Sequence, residues 1–303
     1  RTKLTMKMGL LCLFGLSTAA GLAWRGEARA QGERYAVIVQ GTSAGEPFAS
    51  TYRNWVTSLV GTLKQKFGFD AAHVTVLTDQ PAAGEQMANA EFVKSTFAKL
   101  AGQAKEGDLV FVMLIGHGGG DGAEAKFNLV GPDLTVMEWS AILSPIKARI
   151  AFVDSTGGSF PFLKGLSGPN RVVITATATS AQRYDTVFPE AFIPALTNAA
   201  ADADKNGRVS LLEAFLFASN AVKQHYEQAG KMSTEGAVFN DTGDGSAQTK
   251  AVPGAAAGTV AGLTFLDQVA MPTSSDPAVQ QLLTQQKALT DQIDDLRRRR
   301  PTM

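Results

Sequence analysis

Cysteine is almost missing: Cys12 is the only one in 303 residues. It sits in the leading apolar stretch, and the residue before it is not the small one that a lipoprotein site needs. Past residue 30 the chain holds no thiol. That excludes disulfides, thiolate metal sites and a cysteine nucleophile. Histidine is scarce as well, with His73, His117 and His225 alone. Neither sign of charge dominates, since 28 Lys+Arg face 28 Asp+Glu. The general electrostatic case for nucleic-acid binding is therefore absent, and no nucleic-acid partner is expected. With 45% hydrophobic and 18% charged residues the chain is neither disordered nor fibrous. Beyond residue 30 no apolar run approaches the roughly 20 residues of a membrane span.

The first thirty residues read as a secretory signal. Arg1, Lys3 and Lys7 give a positive start, Met8 to Trp24 is apolar, and Ala28-Arg29-Ala30 supplies small residues for cleavage before Gln31. A membrane anchor is the alternative, but Gly15, Ser17, Thr18 and Gly21 interrupt the run and it is short. The expected location is secreted or periplasmic, with no membrane span after cleavage. Removing residues 1 to 30 takes five basic residues and one acidic residue and leaves 23 against 27, a mildly acidic chain.

Short apolar runs then alternate with helical patterns. Strands are expected at Tyr35 to Gln40, His73 to Leu77, Asp108 to Ile115, Arg149 to Val153 and Arg171 to Thr175. Helices are expected at Phe48 to Phe67, after the cap Asn89, and at Met137 to Leu143 behind the Thr135/Glu138 capping box. Strand runs without alternation are buried on both faces. The fold class is therefore α/β, a doubly wound, mostly parallel sheet of five or six strands. It is expected over residues 31–250, with a linker at 251–275 and a coiled-coil-like tail at 276–303. In such sheets ligands bind beyond the carboxyl ends of the strands.

Two of those ends carry chemistry. After the third strand come Gly116-His117-Gly118-Gly119-Gly120, a histidine among glycines that let a ligand backbone approach. After the fourth come Asp154-Ser155-Thr156-Gly157-Gly158-Ser159. This order resembles caspase-like and legumain-like peptidases, where one strand ends in His-Gly and a later one in Asp-x-Cys-x-x-Gly. The segment Phe127 to Thr135 and the Ala-Thr-Ala-Thr-Ser run after the fifth strand fit the same pattern. The resemblance covers about residues 33 to 230 and looks closest to bacterial exported members. It implies a caspase-like fold and a protein or peptide partner, and places His117 and Gly118 on the family's His-Gly and Thr156 on its cysteine. A threonine hydroxyl is far less acidic than a thiol, and a mid-chain threonine lacks the terminal amine that activates threonine nucleophiles. The expected site is thus degenerate, a binding or scaffold module. The alternative is a hydrolase using His117 with the hydroxyl of Thr156, Ser155 or Ser159.

A second enzyme reading uses Gly41-Thr42-Ser43-Ala44-Gly45, which matches G-x-S-x-G, with His117 to Gly120 as an oxyanion segment, Asp185 as acid and His225 as base. The order of these pieces opposes it. In esterases the oxyanion segment precedes the nucleophile.

The sharpest motif is DADKNGRVSLLE at residues 202–213. Asp202, Asp204 and Asn206 stand at positions 1, 3 and 5 of an EF-hand-like loop, and Gly207 at the turn. Arg208 offers its carbonyl at position 7, Ser210 stands at 9, and Glu213 is the bidentate carboxylate at 12. One structural Ca²⁺ is expected here. The plainer reading is a Ser210/Glu213 capping box, which does not require Asp202, Asp204 and Asn206. Finally, Val279, Leu282, Gln286, Leu289, Ile293 and Leu296 follow heptad spacing before Arg297 to Arg300, and weak self-association through this seam is expected.

Overall fold

A computed structural model describes residues 32–251 and 255–268, with residues 281, 282, 284, 285, 288, 289 and 292. The expected signal and most of the heptad seam lie outside the described residues. The chain divides into residues 1–30 and 31–303, and every element named below belongs to the second unit.

Strands β1 (Arg34–Gln40), β2 (Val74–Thr78), β3 (Gln86–Met87) and β4 (Leu109–Ile115) join β8 (Arg149–Asp154), β9 (Arg171–Thr175) and β10 (Val238–Asn240) in one sheet. Its order is β10-β9-β8-β4-β1-β2-β3. Every pairing is parallel except the antiparallel edge β10–β9. Strands β1 and β4 are buried throughout, as expected of non-alternating runs covered on both faces. Helices α1 (Phe48–Gly61), α5 (Phe188–Ala195) and α6 (Leu211–Gln228) pack on the face that holds Phe111, Met113 and Ile115. Helices α2 (Ala90–Gln103), α3 (Val136–Leu143) and α4 (Phe160–Leu166) pack on the face of Val110, Val112 and Leu114, around the fully buried Trp139. The result is a mixed α/β domain with a mostly parallel central sheet.

The local signals act where the sequence places them. Asn89 accepts a bond from the Phe92 N–H at 2.9 Å and opens α2. The Thr135/Glu138 box closes in both directions at the start of α3. A small second sheet, β5 (Gly118–Gly119), β6 (Lys126–Phe127) and β7 (Leu134–Thr135), takes in both ends of the segment Phe127 to Thr135 and reaches back to Gly118.

Two expectations need correction. The main sheet has seven strands rather than five or six, because β3 and β10 are too short to give a periodic signal. Residues 255–268, inside the expected linker, fold onto the domain. A short helix α7 (Thr259–Gly262) forms there, and Ala261, Thr264 and Leu266 are buried. The Asp241 carboxylate accepts from the N–H groups of Gly258 and Ala261, both at 2.9 Å, and so ties this segment down. Among the described residues no helix is long and apolar enough to cross a membrane.

Candidate functional site

The carboxyl ends of β1, β4, β8 and β9 lie side by side in the sheet order, so their loops share one rim. Gly116 leaves β4 at φ +147°, a value that favours glycine, and His117 follows. The ring is held on several sides. Its Nδ1 is 2.9 Å from Asp185 Oδ1, and its Nε2 is 3.3 Å from the Tyr52 hydroxyl and 3.4 Å from the Ser43 carbonyl. Phe48 meets it edge-on with centroids 4.9 Å apart. In the neutral ring, Nδ1–H donates to Asp185 and Nε2 accepts from the Tyr52 O–H. Burial, with the Asp185 charge as the smaller cause, pushes the Tyr52 phenol well above its ordinary value, so the phenol remains a proton donor.

Thr156 stands on the neighbouring strand end. Its hydroxyl donates to Asp154 Oδ1 at 2.7 Å, and its backbone N–H reaches the same oxygen at 3.0 Å. Asp154 is wholly buried, and its Oδ2 has no partner. Burial raises this carboxyl to about pKa 7, against the opposing pull of the two bonds from Thr156. The Thr156 hydroxyl lies against Gly118, where a Cβ would come within 2.8 Å of it. Glycine is thus required at 118 for the two strand ends to meet.

The neighbouring hydroxyls are committed elsewhere. Ser155 Oγ donates to the Leu114 carbonyl at 2.5 Å, and Thr186 Oγ1 donates to the Ser155 carbonyl. Ser159 Oγ is 3.0 Å from Thr177 Oγ1 and accepts from the Thr177 N–H. The loop after β9 covers this turn. Gly158 N–H donates to the Gln182 carbonyl at 2.7 Å, and the Tyr184 carbonyl lies where a Cβ on Gly157 would sit. Ser155, Thr156 and Ser159 are each 2% exposed or less. Among the described residues no hydrogen bond joins His117 to Thr156, Ser155 or Ser159. The structure thus brings Gly118 against Thr156, but gives the threonine proton to Asp154 rather than to His117.

The esterase set is not assembled. Ser43 Oγ donates to Asp79 Oδ2 at 2.7 Å and is buried, and only its carbonyl faces the His117 ring. Asp185 serves His117 and not His225, whose ring packs beside Tyr226 on α6. The sequence suggests Asp185 only in the esterase role and does not point to Tyr52 or Asp79. The sole signal for Asp154 is its place two residues before Thr156.

The acidic loop lies apart, between α5 and α6. Oxygens of Asp202, Asp204 and Glu213 fall within 4.8 Å of one another. Lys205 and Gly207 both take positive φ, +59° and +84°, and make the sharp turn. Asp202 accepts from the N–H groups of Asn206 and Gly207 at 3.1 and 2.9 Å. Asn206 Oδ1 accepts from the Arg208 N–H at 2.9 Å, and the Arg208 side chain is ion-paired to Asp267. Glu213 Oε1 accepts from the Ala203 N–H at 2.9 Å, while Oε2 accepts from Ser210 in a complete capping box. An oxygen-only donor set on a tight turn fits a hard divalent cation.

No protein-family model matches the chain, and no curated protein does. Solved structures similar to it include protein GSU0716 from Geobacter sulfurreducens, at 12% identity and a TM-score of 0.45, covering 70% of this chain and 96% of that one. The Drosophila initiator caspase Dronc is similar at 11% identity and a TM-score of 0.45, covering 81% of this chain and 96% of that one. Neither likeness bears on chemistry, which is left to the side chains at the strand ends.

Proposed function

We propose that the chain is an exported caspase-like or legumain-like peptidase homologue that no longer cleaves peptides and acts as a calcium-stabilised binding or scaffold module. The reading draws on the order of His117-Gly118 and Asp154-Ser155-Thr156 on adjacent ends of a parallel sheet. One observation carries the loss of catalysis: the Thr156 hydroxyl is buried and bound to Asp154, while His117 is engaged by Asp185 and Tyr52. A nucleophile must lie within reach of its base and be open to substrate. The burial of Thr156, Ser155 and Ser159, and the lack of a hydrogen bond from any of them to His117 among the described residues, support the reading. The partner is a protein or peptide laid across the strand ends.

The test is a serine-reactive fluorophosphonate probe, with mapping of any labelled residue, beside Asn-, Asp-, Arg- and Lys-directed peptide substrates. Neither labelling nor turnover is expected. Labelling at Ser155, Thr156 or Ser159 that disappears in His117→Ala would overturn the reading in favour of a hydroxyl-based hydrolase, and labelling at Ser43 would favour an esterase.

The second part of the proposal is one Ca²⁺ held by Asp202, Asp204, Asn206, the Arg208 carbonyl and Glu213. The convergence of the three carboxylates supports it. Bound there, the ion cross-links the turn to the first residues of α6 and offsets the mutual repulsion of the carboxylates. Export to a secreted or periplasmic location rests on the leading thirty residues.

A further inference from the structure

EF-hand-like loops are usually paired, and among the described residues no second carboxylate cluster of this kind is present. A different segment takes that place. Phe265 forms an antiparallel bridge with Ser210, and the Leu211 N–H donates to the Thr264 carbonyl at 2.9 Å. Arg208 grips the same segment: its Nε and Nη2 donate to the Asp267 carboxylate at 2.8 to 3.1 Å, and Nη2 also reaches the Asp267 carbonyl. The guanidinium lies 3.9 Å from the centre of the Phe265 ring. The far side of the segment is fixed to the body of the domain, with Leu266 buried and its carbonyl accepting from Arg34 Nη1.

We infer that Thr264–Asp267 is the partner strand of the cation loop and that Arg208 is its positioning residue, so that Ca²⁺ binding and docking of this strap are coupled. The inference rests on the calcium reading above. Position 7 of the loop gives the ion only a backbone carbonyl. That carbonyl is aimed by whatever fixes the residue, and here a bidentate ion pair and a ring fix it. Coupling of this kind is reciprocal: a docked strap tightens the ion, and the ion tightens the strap.

The sign of one substitution separates coupling from simple charge. Arg208→Gln keeps the carbonyl and removes a positive charge near the site. By charge alone it should bind Ca²⁺ more tightly. By loss of the strap it should bind more weakly. We expect its calorimetric Kd for Ca²⁺, in the full-length chain, to rise about fivefold or more. Phe265→Ala removes neither a charge nor a candidate ligand, and should weaken binding in the same direction. Melts in chelator establish that both variants are folded. Chymotrypsin gives the reverse reading: Ca²⁺ should slow cleavage after Phe265 in the wild type and have less effect in Arg208→Gln. A wild type that takes up no Ca²⁺ overturns both the calcium reading and the coupling. Calcium binding by the wild type with equal or tighter binding in both variants, and no effect of Ca²⁺ on cleavage, overturns the coupling alone.

Discussion

Asp154 is a carboxyl wholly removed from water. It ends β8 inside the domain, with one oxygen bonded twice to Thr156 and the other bare. Its value of about 7 in the fold compares with about 3.9 in an unfolded chain. The folded state therefore holds this proton more firmly. The stability linked to it is complete below about pH 4 and is lost as pH rises to about 7. Asp154→Asn removes the titration while keeping an oxygen for Thr156. Across urea unfolding series from about pH 4 to 8, the wild type is expected to lose a few kcal/mol relative to the variant, within this window. Parallel profiles would contradict the assignment. The adjacent threonine makes a second prediction. Thr156→Cys supplies a better nucleophile at the same strand end, but His117 stays bound to Asp185 and Tyr52. Peptide turnover should reach only trace levels, and should vanish when His117 is also replaced by Ala.

At the scale of elements, the acidic loop and α6 share Glu213. It closes the capping box with Ser210 and also faces Asp202 and Asp204. Glu213→Gln divides these roles, because glutamine still serves a capping box but is a poor bidentate ligand. The melting temperature in chelator should change little, while the rise on adding millimolar Ca²⁺ should be mostly lost. An undiminished rise would place the ion elsewhere. Sequence signals of this local kind are legible: Asn89, Thr135 with Glu138, and Ser210 with Glu213 all act within four residues of themselves. The apolar runs of β1 and β4 are legible too, since burial on both faces leaves no alternation. What escapes is short or distant. The two residues of β3 and the three of β10 are below any period. The Gly- and Ala-rich stretch before Thr264 has no apolar stripe, and its anchors at Arg34, Arg208 and Asp241 are remote in sequence. At the candidate site, the bond from His117 to Asp185 joins two loops 68 residues apart, which no local pattern predicts.

For the molecule as a whole, we propose that the tail gives weak self-association. Leu282 and Leu289, seven residues apart, are exposed, at 64% and 59%. Such a seam is marginal alone, because short helices barely hold in water. Sedimentation with and without residues 273 to 303 should show weak, concentration-dependent self-association that only the longer form displays. Two monomers, with the longer form no more extended, would make the tail an internal brace instead. The contact between Arg34 and Leu266 has a further consequence, for the order in which the chain is made. Strand β1 lies in the interior of the sheet yet is synthesised before its other strands, and of the two carbonyls that accept from its first side chain, Gly68 follows 34 residues later and Leu266 only 232 residues later. The backbone partners of the earliest strand are all present by residue 115, but its side-chain contacts are complete only once Leu266 has emerged.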